Sequence, residues 1–125
     1  MCVIADFTNI EITKRDIIAF KEVRCRRLND KRKLAISLFC PSNRMYQANH
    51  KCHTLGASLI YPFGKLKESN LDETPGFYCY ESWSGFHPLS FISVRIPAGT
   101  RIVRGRYEGK RTINAEKIIP LDWTL

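Results

Sequence analysis

The chain has 125 residues, 44% of them hydrophobic and 26% charged, proportions that exclude wholesale disorder and fit one domain with a core of its own. No apolar run is long enough to span a bilayer, and the first residues lack a basic region followed by a continuous apolar stretch, so a cytoplasmic, non-exported protein is expected. Twenty lysines and arginines against twelve acids leave a net charge of +8, which favours anionic partners: nucleic acid, phosphates or an acidic protein face. The five cysteines, Cys2, Cys25, Cys40, Cys52 and Cys79, are odd in number and irregularly spaced. They fit free thiols better than a disulfide framework.

In chain order, Met1–Phe7 mixes apolar residues with Asp6 and suits an edge strand or a packed arm. Thr13-Lys14-Arg15-Asp16 resembles a capping box with aspartate in place of glutamate. Two periodicities compete in the adjoining segment: a helix would gather Ile17, Phe20 and Arg24, and a strand would gather Ile18, Phe20 and the aliphatic part of Glu22. A strand over 17–26 is favoured. Leu28-Asn29-Asp30-Lys31 has turn-forming residues before the apolar run from Leu34 to Phe39, which makes 17–40 a hairpin. Arg24, Arg26, Arg27, Lys31, Arg32 and Lys33 would then crowd one tip with positive charge.

Residues 41–56 are polar and aperiodic, a loop with one short helical turn, and Ala57–Phe63 is a second apolar segment ended by Pro62 and Gly64. Lys65–Pro75 reads as an exposed acidic connection. Gly76-Phe77-Tyr78-Cys79-Tyr80, followed by Trp83 and Phe86, collects aromatic side chains. They suit the core of a small sheet or, beside cations, a platform on which single-stranded bases stack.

Residues 89–119 read as a three-strand antiparallel meander. Ile92, Val94 and Ile96 alternate with Ser93 and Arg95, Pro97-Ala98-Gly99 supplies a turn, and Ile102 and Val103 carry the next strand, which Gly105 weakens or bulges. Glu108-Gly109-Lys110 is a tight turn before a last strand over 112–119. Its outward side chains would be Arg95, Arg101, Arg104, Arg106, Lys110 and Arg111. Trp123 is expected to pack back on the sheet, since a free terminal indole leaves a large apolar area in water. The fold class is thus α+β to mainly β, a single domain over 1–125, with an antiparallel sheet of about five to seven strands and at most one or two short helices.

The succession Ile-Ile-Ala-Phe-Lys-Glu-Val-Arg, Ile-Ser-Leu-Phe, Tyr-Pro-Phe-Gly-Lys, Gly-Phe-Tyr-Cys-Tyr, Val-Arg-Ile-Pro-Ala-Gly-Thr and Ala-Glu-Lys-Ile-Ile-Pro, spread over residues 17–120, resembles small single-domain proteins carried by bacteriophages and prophages. That group has no assigned activity and no catalytic residues to transfer. What the resemblance implies is context: a binder or inhibitor of a host or phage component, acting in the host cytoplasm, rather than a metabolic enzyme.

Chemistry-bearing constellations are few. Cys40, His50, Cys52, His53 and Cys79 are ligand types that zinc prefers, but no Cys-x-x-Cys pair exists and the adjacent Cys52 and His53 do not readily share a metal, so no metal is expected. Cys52 beside His53, and Cys79 among aromatics, are candidate nucleophiles. An exposed idle thiol and a buried inert one are the simpler states. The glycines are too scattered to cradle a nucleotide phosphate, and Ser82-Trp83-Ser84-Gly85 is no nucleophile elbow. Two functions remain. The first is a binding protein that docks the two cationic clusters on nucleic acid or on an acidic host protein, without a cofactor. The alternative is a metal-independent ribonuclease with His53 and His87 as general base and acid.

Overall fold

The computed structural model describes residues 4–5, 8–27, 33–36, 60–82 and 91–124. The strands are β1 (Ile4–Ala5), β2 (Glu11–Ile12), β3 (Ile17–Glu22), β4 (Arg24–Arg27), β5 (Lys33–Ile36), β6 (Lys67–Glu68), β7 (Phe77–Tyr80), β8 (Phe91–Ile96), β9 (Arg101–Tyr107), β10 (Lys110–Ala115) and β11 (Lys117–Trp123). Among the described residues there is no helix, and the architecture is mainly β. The eleven exceed the five to seven expected because three, β1, β2 and β6, are two-residue pieces at the margins and the expected last strand is two, β10 and β11.

Nine strands make one antiparallel sheet in the order β1, β9, β10, β7, β3, β8, β11, β6, with β2 also paired to β9, while β4 and β5 form a separate ribbon. The preference for strand over helix at 17–26 holds, with a break at Val23, but of the hairpin expected over 17–40 only β4 and β5 pair, Arg24 opposite Ile36 and Arg27 opposite Lys33, while β3 pairs with β7 and β8. The meander does not hold in full. β9 and β10 form its hairpin, with Tyr107 paired to Lys110 and both central residues at positive φ, Glu108 at 49° and Gly109 at 78°. That is the primed turn whose twist matches two right-twisted strands. β8, however, pairs with β3 and β11 rather than with β9. The expected final strand divides at Glu116 into β10 and β11, which lie far apart in the sheet. Gly105 carries no bulge and is paired on both sides, to Ala5 and to Thr112. The register shift falls instead between Pro120 and Asp122, next to a residue that has no N–H for the ladder.

The reason β8 and β9 part company lies in the supposed capping box. Thr13 and Asp16 do bond backbone groups, but those of the turn after β8. Thr13 Oγ1 accepts from the Thr100 N–H at 3.0 Å and donates to the Pro97 carbonyl at 3.0 Å, and Asp16 Oδ1 accepts from the Ala98 N–H at 2.9 Å. The backbone adds Thr13 N to Thr100 O at 2.9 Å and Gly99 N to Thr13 O at 2.7 Å. Short side-chain acceptors satisfy orphan N–H groups in a turn as readily as at a helix start. The chain therefore crosses between the two halves of the sheet at 13–16 and again at 97–100, and these two crossings are tied together.

One face of the sheet supplies the core. Ala19 and Val23, Cys79, Ile92, Val94, Ile96, Ile102, Ile113, Ala115 and Ile118 bury there with Ala35 and Tyr61, and Trp123 packs against them. Trp123 also meets Phe63 edge-on at 5.9 Å, as expected for the carboxyl-terminal indole. The buried face of β3 is the reverse of the expected one: Ile18 is 51% exposed, whereas Ala19 and Lys21 are buried. The aromatic run of β7 alternates as a strand must. Phe77 and Cys79 join the core side, and Tyr78 and Tyr80 the other, where their rings pack edge to face at 5.2 Å.

Gly76 enters β7 at φ 73°, and an added Cβ would lie 2.7 Å from the Ala115 carbonyl oxygen and 2.8 Å from Leu71 Cδ2; at Gly109, also at positive φ, nothing lies within 4 Å. Gly76→Ala should therefore lower the unfolding free energy by about 2–4 kcal/mol, and Gly109→Ala by about 1 kcal/mol, since only the first adds a backbone clash to the conformational strain. Urea denaturation of the two variants measures the difference.

Candidate anion-binding site

Strand alternation divides the arginines of β9 between two faces. Arg101 points to the same side as Val103, and Arg104 and Arg106 to the same side as Ile102. Arg101 is a structural staple. Its guanidinium forks onto Asp72, Nη2 to Oδ1 at 2.8 Å and Nη1 to Oδ2 at 3.2 Å, and Nη1 also reaches Glu116 Oε2 at 3.2 Å. Glu116 Oε2 accepts in turn from the Leu71 N–H at 2.9 Å, so the 70–74 turn is held to the sheet. The hydrogen bond from Arg101, and then its charge, keep the Asp72 carboxyl below its usual range.

Arg104 is likewise neutralised, by Glu11 at 3.3 Å and by Glu81. These acids come from strands on either side, Glu11 from β2 and Glu81 from the end of β7. Arg106 and Arg111 differ: the β9–β10 register places them directly opposite each other, both are exposed, and neither has a carboxylate partner among the described residues. Like charges facing each other across a strand pair repel. An open cleft of about 540 Å³ lies over them, lined by Glu81, Arg104, Gly105, Arg106, Arg111 and Thr112. The Arg104–Glu81 pair lines it on one side, with Arg106 and Arg111 beside it.

A second cleft of about 350 Å³ shares Arg104 with the first and is lined also by Glu11, Lys14 and Arg15. Both cations are exposed, and neither belongs to the clusters expected from sequence, because the capping pattern draws Thr13–Asp16 away from the carboxyl-terminal strands. Their signal is the edge pairing of β2 with β9, which only the folded sheet supplies.

The twelve expected binding residues thus scatter. Arg104, Arg106 and Arg111 converge, with Lys110 exposed at the adjoining turn. Arg95 lies on β8, four strands from β9 in the sheet order, and Arg101 is on the opposite face. In the other cluster Arg24 is exposed on β4, Arg26, Arg27 and Lys33 are placed by backbone register alone, and Lys31 and Arg32 lie outside the described residues. His53 and His87, the ribonuclease pair, also lie outside them, as do Cys40, His50, Cys52, Trp83 and Phe86. Tyr78 and Tyr80 pack edge to face on each other, and Tyr80 tilts on Phe91. Burial raises both phenols above their ordinary range. Among the described residues no helix is long and apolar enough to cross a membrane.

Cys79 is the one proposed nucleophile whose surroundings are visible. It is fully buried, its thiol contacts the Phe77 carbonyl at 3.7 Å, and burial pushes its pKa up to about 11 despite the charge of Lys21. Thiolate is the reactive form. Iodoacetamide at pH 8 should therefore leave Cys79 unmodified in the folded protein and label it fully in denaturant, as read by peptide mass spectrometry.

Comparison with known proteins finds no family model, no curated protein and no solved structure that matches this chain.

Proposed function

We propose that this chain is a small basic binding protein, of the phage type its sequence resembles, that docks the cationic end of its sheet on nucleic acid in the host cytoplasm. The observation that carries the proposal is the unpaired Arg106–Arg111 couple over an open cleft, beside an Arg104 whose charge is already satisfied. Two facing guanidinium groups repel until an anion lies between them, and a phosphodiester suits them because a planar fork donates two hydrogen bonds to neighbouring oxygens. Lys14 and Arg15 at the second cleft extend the track past Arg104, in the manner of a backbone-following groove. Among the described residues the side chains lining the cleft are charged or hydroxyl-bearing, which favours nucleic acid over an acidic host protein, whose interface would centre on apolar anchors.

Fluorescence anisotropy with labelled duplex and single-stranded oligonucleotides, repeated across salt concentrations, tests this. If about three phosphates are neutralised on duplex, log affinity should fall with log salt at a slope near roughly −3. Replacing both Arg106 and Arg111 with Gln should make that slope shallower by about 2, whereas Arg95→Gln should leave it unchanged. No measurable oligonucleotide binding, together with capture of one host protein that survives nuclease treatment, would overturn the nucleic-acid assignment in favour of inhibition of a host factor.

A further inference from the structure

The two clefts that meet at Arg104 differ in chemistry. The first is lined by charged and hydroxyl-bearing side chains and by Gly105, whereas the second adds Ile12, Ile17 and Ile102 to Lys14, Arg15 and Arg104. Ile12 is 66% exposed, so apolar surface that water now covers lies beside two exposed cations. Lys14 and Arg15 have no carboxylate partner among the described residues. Glu11, the carboxylate in this lining, is engaged by Arg104 at 3.3 Å, and Asp16, next to Arg15, accepts from the Ala98 N–H.

The register of β2 adds a third element. Ile12 faces Arg101 across β2 and β9, and the Arg101 carbonyl is committed to the other neighbour of β9, where it accepts from the Glu116 N–H at 3.1 Å. Ile12 and Arg101 are therefore a non-hydrogen-bonded pair, and the N–H and C=O of Ile12 turn to the outer edge of the sheet. β2 is two residues long, so this edge presents one donor and one acceptor in register. That is too little to hold an added peptide strand, which draws its affinity from a row of main-chain bonds.

We infer that the second cleft seats an unpaired base, so that the nucleic acid bound along this surface is single-stranded, an inference that rests on the nucleic-acid reading above. A duplex offers its phosphates while each base is covered by its neighbours in the stack. An unpaired nucleotide offers an apolar face, a hydrogen-bonding edge and a phosphate together. The second cleft answers each: Ile12 and Ile17 the face, the Ile12 backbone the edge, Lys14 and Arg15 the phosphate. Arg106 and Arg111 hold the neighbouring phosphates in the first cleft, where no apolar side chain lies among the lining residues.

Anisotropy on the full chain with three labelled probes of equal length tests this: an oligothymidylate, an abasic strand with the same sugar–phosphate backbone, and the duplex with oligoadenylate. The oligothymidylate should bind about tenfold tighter than the abasic strand, which keeps every phosphate and lacks the bases. It should also bind tighter than the duplex at high salt, where the phosphate contribution is weakest. Ile12→Thr, which keeps a β-branched side chain at an exposed strand position, should reduce the oligothymidylate-to-abasic ratio to about threefold. The salt slope should stay unchanged, because an apolar contact releases no counterions. Ile12→Leu should retain the ratio. Lys14→Gln combined with Arg15→Gln should do the reverse, preserving the ratio and making the single-strand slope shallower by about 1.4. Equal affinity of the wild type for oligothymidylate and the abasic strand would overturn the inference and leave the nucleic-acid reading standing on its Arg106 and Arg111 slope. Binding to none of the three probes would overturn both, and displacement of oligothymidylate by polyglutamate at equal charge concentration would reassign the cleft to an acidic peptide.

Discussion

The sheet is continuous because a lysine crosses the place where its backbone ladder nearly fails. β3 and β7 share a single residue pair, Phe20 opposite Tyr80, whereas β3 and β8 run in register from Ile17–Ile96 to Glu22–Phe91. Lys21 spans the weak join by donating from Nζ to the Tyr78 carbonyl. Burying an ammonium is costly unless it is hydrogen-bonded, and a charge-assisted bond together with an aromatic face offsets much of that cost. The remaining organisation of the core follows: Tyr61 is drawn in behind the join and itself donates from its N–H to the Ala35 carbonyl at 3.0 Å, which seats the β4–β5 ribbon, and Lys67 follows from the far edge.

The second organising constraint is alternation. A strand sends neighbouring side chains to opposite faces, so a run rich in arginine cannot form one patch unless the cations are two apart. On β9, Arg104 and Arg106 satisfy that spacing and Arg101 does not. Arg101 is accordingly absorbed into a bidentate pair with Asp72 that fastens a turn, and Arg104 is bracketed by acids from two other strands. The net charge of +8 is therefore unevenly usable. Exposed ion pairs contribute little to stability, but here they decide which guanidinium groups of β9 remain available: among the described residues Arg106, at the hairpin end, has no carboxylate partner.

Much of the β architecture was legible in the residues. Ile92, Val94 and Ile96 alternate into the core, Glu108-Gly109 makes the primed turn, and the aromatic run of β7 is a strand. The errors have specific causes. On β3 a lysine ordinarily marks the solvent face, so Lys21 points the alternation the wrong way, and no local signal announces that Tyr78 offers it a carbonyl from another strand. At Thr13–Asp16 the chemistry of short polar acceptors is correctly sensed, but the N–H groups they satisfy belong to a turn more than eighty positions away.

The residues alone determined what is local: strand periodicity, turn chemistry, the excess of positive charge, and the absence of any phosphate-cradling glycine loop. Which strands are neighbours, which arginines keep their charge unpaired, and which lysines enter the core were decided only by the tertiary structure. Those outcomes depend on contacts between segments distant in sequence, and a pattern with a period of two residues carries no record of its partner across the sheet.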